Sequence, residues 1–359
     1  MEQPRLVHIL AKAGEQLRLL FGPDVSVHEC VRLEGQASNR VYHRLALAGA
    51  DSPGSMILVQ LPDDPFASEE ASAGGGRQEL PFCSVLRFLQ GRGLPVPKLY
   101  ADCAADGFIL QEDLGPTTMF REMQASPDRT ETLYRDAIRL LVRFQEATKS
   151  GTVDPSACIG YSRGFSAELL RWELEHFTEW GLVAGAGARL SPAENRLLSD
   201  AFDDIVRRIL EVPYLLVHRD FQSTNLMLKD GRMVLIDFQD TLMGPPVYDL
   251  VSLLRDSYVS LPQPLLDHLR HEYFVAARPL LPFPDEGAFE TFFHLQTLQR
   301  KLKDSGRFVF IDRVKGNPSF LRWVEPTLGY VASAFEMLPE YAPLHRMLAR
   351  YLPALGGAA

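Results

Sequence analysis

The chain lacks the features that would place it in several large classes. It has four cysteines, Cys30, Cys83, Cys103 and Cys158, with no C-x-x-C spacing among them. That spacing argues against a disulfide framework or a thiolate metal site and predicts reduced thiols in a cytoplasmic protein. No apolar run reaches the roughly 18 residues of a membrane span. The opening stretch, MEQPRLVHILAKAG, has no basic segment followed by a long apolar one, so no signal peptide is expected. Basic residues are not in excess: 37 Lys and Arg against 46 Asp and Glu give a net charge of −9, the wrong sign for a nucleic-acid partner. No internal repeat is visible. What remains is an ordinary globular composition, 46% hydrophobic and 23% charged over 359 residues. That length allows one large or two small domains with a sizeable core.

The most informative stretch is 215–249, LLVHRDFQSTNLMLKDGRMVLIDFQDTLMGPPVYD. Asp230-Gly231 between two apolar runs is a strong hairpin signal. If these two residues form the loop, Lys229 pairs with Arg232 and Asn225 falls opposite Ile236. Asn225 and Asp237 then meet at the open end, with Asp220 five residues upstream of Asn225. Two oxygen ligands beside a further acid suit a hard cation such as Mg²⁺ whose other ligands are nucleotide phosphates. Phosphoryl transfer is mostly positioning and charge neutralisation. Asp237 would hold the metal, Asn225 would add a neutral oxygen, and Asp220 would accept the attacking hydroxyl's proton. Singly, each is as readily a turn residue. As a set, with His218 and Arg219 ahead of Asp220, they point to a phosphotransferase.

At these residues the chain resembles the kinase-like superfamily, whose catalytic loop reads H-R-D-x-x-x-x-N. Asp237-Phe238-Gln239 stands where protein kinases have Asp-Phe-Gly. Residues 244–250, GPPVYDL, are similar to the aminoglycoside phosphotransferase and choline kinase branch, which phosphorylates small molecules. The runs IDFQD, YDLVSLLRDSY, LQRKLKDSGRF and LGYV look like the anomeric N-acetylmuramate/N-acetylglucosamine kinases of bacterial cell-wall recycling. The resemblance covers about residues 33–330. It implies an α+β, two-lobed, protein-kinase-like fold: a β-rich nucleotide-binding lobe over 1–112 and a mainly helical catalytic and substrate-binding lobe over 113–359. It also implies ATP as co-substrate, Mg²⁺ as cofactor, a small sugar or alcohol as acceptor, and His218 and Asp249 as structural support of the catalytic loop. An aminoglycoside or other small-alcohol acceptor on the same fold is one alternative. A nucleotide-binding scaffold without turnover is another.

The N-terminal half reads as a helix over 6–21, strands over 25–29, 41–47 and 56–61, and a flexible insertion at 62–76. A helix over about 78–90, an extended edge at 95–100 and a strand at 108–111 follow. Gly35, Ser38, Asn39 and Arg40 lie at the tip of the first strand pair, where small residues let backbone N–H groups approach a phosphate. A plain turn is the alternative there, and the resembled family has a Gly/Ser/Arg loop in that place. Gln111, Glu112 and Leu114 belong to a Q-E-D-L-G stretch that in the family forms the hinge reading the adenine edge. One family element is missing: the third strand, MILVQL, has no lysine, and Val59 or Gln60 occupies its approximate place. Arg40, Arg44 and Arg77, in that order, are candidates to replace it, and Glu79 loses its expected ion-pair partner.

Helical spacing recurs over 128–147, 165–180, 191–210, 247–258, 265–277, 286–304 and 319–338, with a Ser-Pro-Ala-Glu capping signature at Ser191. For the acceptor, Gln222, Gln239 and Asp240 flank the expected base and metal ligand. Arg255, Arg300 and Lys301 could face a carboxylate, or be plain surface charges or members of helix pairs. Trp172 and Trp180 could stack on a sugar or fill core.

Overall fold

The structure, a computed structural model, describes residues 2–33, 40–62 and 80–356. The expectations for Gly35, Ser38, Asn39, Arg77 and Glu79, and for the insertion at 63–76, lie outside the described residues. The chain divides into two compact units. The first comprises Met1–Ala125, Asp154–Arg163 and Thr224–Thr241; the second comprises Ser126–Val153, Gly164–Ser223 and Leu242–Ala359.

In the first unit, α1 (Glu2–Phe21) precedes β1 (Ser26–Arg32), β2 (Val41–Ala48), β3 (Ser55–Gln60), α2 (Pro81–Gly91), β4 (Leu99–Cys103) and β5 (Phe108–Glu112). The five strands form one antiparallel sheet in the order β1-β2-β3-β5-β4. Ile9, Ala13 and Leu17 of α1 pack on one face with Leu45, Leu47, Met56, Leu58, Phe108 and Leu110. Because side chains alternate along a strand, the registers Tyr42↔Val59, Arg44↔Ile57, Ile57↔Gln111 and Val59↔Ile109 place those residues on the opposite face. The edge strand starts at Leu99, after Pro95 and Pro97, because proline cannot donate to a ladder. The unit also holds α3 (Met119–Ala125) and a hairpin of Leu226–Lys229 with Arg232–Leu235. Leu228 N donates to Thr117 O at 2.9 Å and Leu235 N to Pro95 O at 2.8 Å, tying the hairpin to the chain around the end of β5.

The second unit contains α4 (Thr130–Ala147), α5 (Ala167–His176), α6 (Pro192–Leu210), α7 (Tyr248–Leu254), α8 (Gln263–Ala277), α9 (Glu286–Lys315), α10 (Val324–Met337) and α11 (Ala342–Ala349). A short strand pair joins Leu215–Val217 to Leu242–Gly244. Ser191 caps α6 in a reciprocal capping box with Glu194. Several boundaries differ from the sequence reading, among them those of α9 and of the helix that starts at α5. α9 runs eleven residues beyond Asp304, through Ser305-Gly306. Gly306 is there for contact: a Cβ on it would lie 2.7 Å from Phe177 Cα. Phe177 in turn opens a π-helical stretch, Phe177–Gly185, where an α-helix over 165–180 was expected. α9 is buried on nearly every side, with Phe289, Phe293, Leu298 and Leu302 alongside Gln296, Gln299, Arg300 and Lys301. A helix buried all round is normally apolar, so these polar members need a chemical reason. Among the described residues no helix is long and apolar enough to cross a membrane.

Candidate active site

The expected base and metal ligands fall in different units, and each half is built differently. In the first unit the hairpin register is Lys229↔Arg232 through Leu226↔Leu235, as the Asp-Gly spacing required. Asp230 (φ 51°) and Gly231 (φ 71°) are both left-handed, which matches the twist of the flanking strands. Ile236 N donates to Asn225 O at 3.1 Å, so the ladder closes opposite Asn225. Asp237 follows with φ 66°, a conformation that costs an L-residue of order 1–3 kcal/mol. Phe238 anchors this kink, buried against the Phe82 ring of α2 at 5.1 Å. Gln239 Nε2 donates to Asp237 Oδ1 at 2.8 Å and lies 3.4 Å from Asp240 Oδ2, so Asp240 shares an amide with Asp237.

Arg40 is the candidate cation that the sheet brings to this end of the unit. Its guanidinium donates to Tyr42 and lies over the Phe82 ring at 5.9 Å. Burial pushes the Tyr42 phenol up to about 12, and the charge of Asp237 adds to that. Arg44 is engaged elsewhere, on both Asp113 oxygens at 2.7 and 2.9 Å. Burial alone would raise the Asp113 carboxyl, but Arg44, Gly115 N–H and Ser55 outweigh it and hold it low. Val59 is on the same face as Tyr42, whereas Gln60 turns to His43 at 3.2 Å, so Val59 stands where the missing lysine would reach out. Gln111 is buried on the Tyr42 face, and its Oε1 has no hydrogen-bond partner among the described residues. Glu112 accepts from Lys229 Nζ at 2.8 Å and from Lys98 N at 3.0 Å. Leu114 packs on Met227 and Val234. A cavity of about 390 Å³ is lined by Glu112, Leu114, Lys229 and Asp230. It opens at the turn end of the hairpin, on the order of 13 Å along the strand from Asn225.

In the second unit the loop 218–223, which carries the expected base Asp220, is held by carboxylates of and just beyond α7. Asp249, fully buried, accepts His218 N at 2.7 Å and Arg219 N at 3.0 Å. Burial pushes its carboxyl up to about 7 against the pull of those N–H groups. Asp256 accepts Ser223 N at 3.0 Å and Ser223 Oγ at 2.5 Å. Arg219 is left-handed at φ 75°, with its side chain buried on Glu173 at 3.4 Å. His218 is fully buried against Phe144 and Phe221. Asp220, by contrast, keeps 38% of its side chain exposed. Gln222 N donates to Asp220 O at 2.9 Å, which places the half-buried Gln222 beside it.

Arg255, Arg300 and Lys301 are not surface charges, being 3%, 3% and 2% exposed, whereas the helix-pair reading holds for Arg300 and Lys301, which both meet Asp304 within α9. Arg255 lies between the rings of Phe293 and Tyr330, and Lys301 bonds Asp304 at 2.8 Å. Trp172 is 41% exposed and packs on His176 at 5.3 Å, while Trp180 contacts Phe310 at 5.1 Å. Among the described residues, no group of three His, Cys, Asp or Glu could hold a metal unaided. An ion at Asn225 and Asp237 would therefore need nucleotide oxygens to complete its shell.

The phosphotransferase enzyme family matches residues 29–287. The chain belongs to that family. Among its relatives, the N-acetylmuramate/N-acetylglucosamine kinase of Pseudomonas aeruginosa is 32% identical over 75% of this chain and 77% of that one. The protein of the same name from Pseudomonas putida is 30% identical over 96% of both. Among solved structures, a choline/ethanolamine kinase family protein from Mesorhizobium loti has a TM-score of 0.55 at 16% identity, covering 96% of this chain and 98% of that one. A thermostable aminoglycoside phosphotransferase APH(4)-Ia, in ternary complex with ADP and hygromycin B, has a TM-score of 0.53 at 14% identity, covering 91% and 98%. The chain thus has the kinase-like α+β fold of this phosphotransferase family.

Several residues that shape the phosphotransferase site escaped the sequence reading. Asp256 is seven residues after Asp249, two helical turns on, and that same-face spacing was the available signal. Glu173 is fully buried and joined to Gln299 Nε2 at 2.6 Å. Its only signal was an acid next to Leu174 on an otherwise apolar helix face.

Proposed function

We propose that this phosphotransferase is an ATP- and Mg²⁺-dependent amino-sugar kinase of the cytoplasm. Its acceptor is the anomeric hydroxyl of N-acetylmuramate or N-acetylglucosamine, and its product the α-1-phosphate. The observation that carries this reading is the likeness over 96% of both chains to a protein named N-acetylmuramate/N-acetylglucosamine kinase.

Asp220 takes the proton from the acceptor hydroxyl as its oxygen attacks the terminal phosphorus. The bond to the leaving diphosphate breaks, and the phosphoryl group passes to the sugar. Asp249 holds the loop by two backbone N–H groups, which leaves the exposed Asp220 as the acid facing solvent. Asn225 and Asp237 would hold Mg²⁺; both offer hard oxygen donors from a hairpin end of fixed geometry, which suits that ion. When bound, the ion neutralises phosphate charge. Arg40 takes the part of the absent lysine. Gly35, Ser38 and Asn39 remain candidates for phosphate binding from the sequence alone, and Gln111 with the chain at Glu112 and Leu114 meets the nucleobase. Gln222 and Asp240 bind the acceptor.

The test is ATP consumption coupled to N-acetylmuramate, N-acetylglucosamine, choline or kanamycin, with the product's linkage read by NMR. Turnover of the two amino sugars to a 1-phosphate is expected. Turnover confined to choline or kanamycin would overturn the acceptor, and none with any of them would favour a scaffold.

A further inference from the structure

Resting on the kinase reading above, we infer that Arg300 is the positioning residue of the catalytic base. From α9 it holds one carboxylate oxygen of Asp220, the acid that takes the acceptor's proton. The contact joins two unlike side chains. Arg300 Nη2 lies 3.5 Å from Asp220 Oδ1, with the arginine side chain 4% exposed and that of the aspartate 38% exposed. One end of the pair is immobile and the other faces solvent.

The guanidinium is itself held from behind. Its plane lies over the Tyr248 ring at 4.7 Å, and Nε is 3.8 Å from Asp304 Oδ2. Asp304 is held in turn by Lys301 Nζ at 2.8 Å, and Lys301 reaches Ser257 Oγ at 3.3 Å. A chain of ionic contacts therefore runs from the base into the body of the unit.

What Arg300 leaves undone argues against a purely structural role. Its Nε and Nη1 are buried with no hydrogen-bond partner among the described residues. An arginine that served the fold would spread its donors over several acceptors. Burying a charge with most donors unpaired is unfavourable, and the hydrogen bond this guanidinium does make within the described residues is the one to Asp220. Phosphoryl transfer asks the base for placement more than for strength. A cation on one oxygen supplies placement by removing the carboxylate's rotational freedom.

The test is a double-mutant cycle of Arg300→Gln and Asp220→Asn, with Arg300→Lys as the conservative variant, in the full chain. Arg300→Gln should lower kcat roughly 10- to 100-fold while KM for ATP and for N-acetylmuramate stays within about twofold. Arg300→Lys should recover a good part of that loss. In the Asp220→Asn background, Arg300→Gln should change the residual rate by less than about twofold, because its effect passes through the missing carboxylate. Losses that multiply in the double variant, or a change confined to KM, would overturn the proposal. So would an unchanged kcat. If Arg300→Gln does not fold, the cycle is run with Arg300→Lys, where the same independence of the two losses is disqualifying. If the wild type turns over no amino sugar, the cycle is read on ATP hydrolysis, in which water replaces the sugar at the same base. The acceptor reading then fails alone, and a wild type inactive toward water as well would end both.

Discussion

The two units solve the problem of holding a functional carboxylate in opposite ways. In the first, Asp237 is placed by backbone: a two-residue turn, a closed ladder, a left-handed residue and an aromatic anchor. Among its described residues no Asp, Glu, Lys or Arg is buried as a whole, although the side chain of Asp113 is 7% exposed. In the second, Asp220 is placed by buried charge. Glu173, Arg219, Asp249, Arg255, Asp256, Arg270, Arg300, Lys301 and Lys303 are all buried there. Taking a charge out of water is expensive unless partners replace the hydration. Asp249 and Asp256 hold the backbone of the loop that carries Asp220, and Glu173 and Arg300 meet side chains of that loop.

The sharpest way to break the comparison is to remove each carboxylate. Asp220→Asn should cost roughly 10²- to 10⁴-fold in kcat, with ATP·Mg²⁺ affinity by calorimetry close to wild type; an unchanged kcat would remove Asp220 from the role of base. Asp237→Asn keeps a side chain that tolerates the left-handed backbone. It should weaken metal-dependent nucleotide binding by roughly 10²-fold, in line with the loss of a charged ligand. Ordinary ATP·Mg²⁺ affinity in that variant would show that the kink serves the fold alone.

A smaller effect tests the buried acids. The Asp249 carboxyl titrates at about 7 in the fold against 3.8 in a free chain. The folded pKa is the higher one, so the group's stabilising contribution is complete below 3.8 and is lost as pH rises through about 7. Relative to Asp249→Asn, the wild type should lose about 2 kcal/mol of unfolding free energy between pH 5 and 7. Urea titrations at both pH values measure this, and a constant difference would show that burial does not govern the group. The smallest effect belongs to packing. Gly306→Ala should destabilise by about 1–3 kcal/mol, despite the better helix propensity of alanine, because Phe177 Cα stands in the way. A raised melting temperature would show that α9 can shift.

The same contrast explains what could be read in the chain before the structure. Turn chemistry is local, so Asp230-Gly231 was enough to give the hairpin register and the position of Asn225. Strand alternation likewise gave the sheet of the first unit to within a few residues. The second unit's helices were legible by period and capping, as at Ser191, but their polar interior was not. Nothing local says that Arg300 is buried or that Glu173 meets Gln299, because those facts depend on partners 80 and 126 residues away.

That difference in range also sets an order of construction. The amide and acid at the hairpin end can be brought into line by a two-residue loop, a microsecond event in a free chain. The proton acceptor must wait for α7, about thirty residues on, and then for α9 at residue 300, with the larger loop-closure entropy that separation implies. On the roles proposed above, the hairpin end with Asn225 and Asp237 can be set before Asp220 is, and no fragment ending short of α9 can hold Asp220 through Arg300.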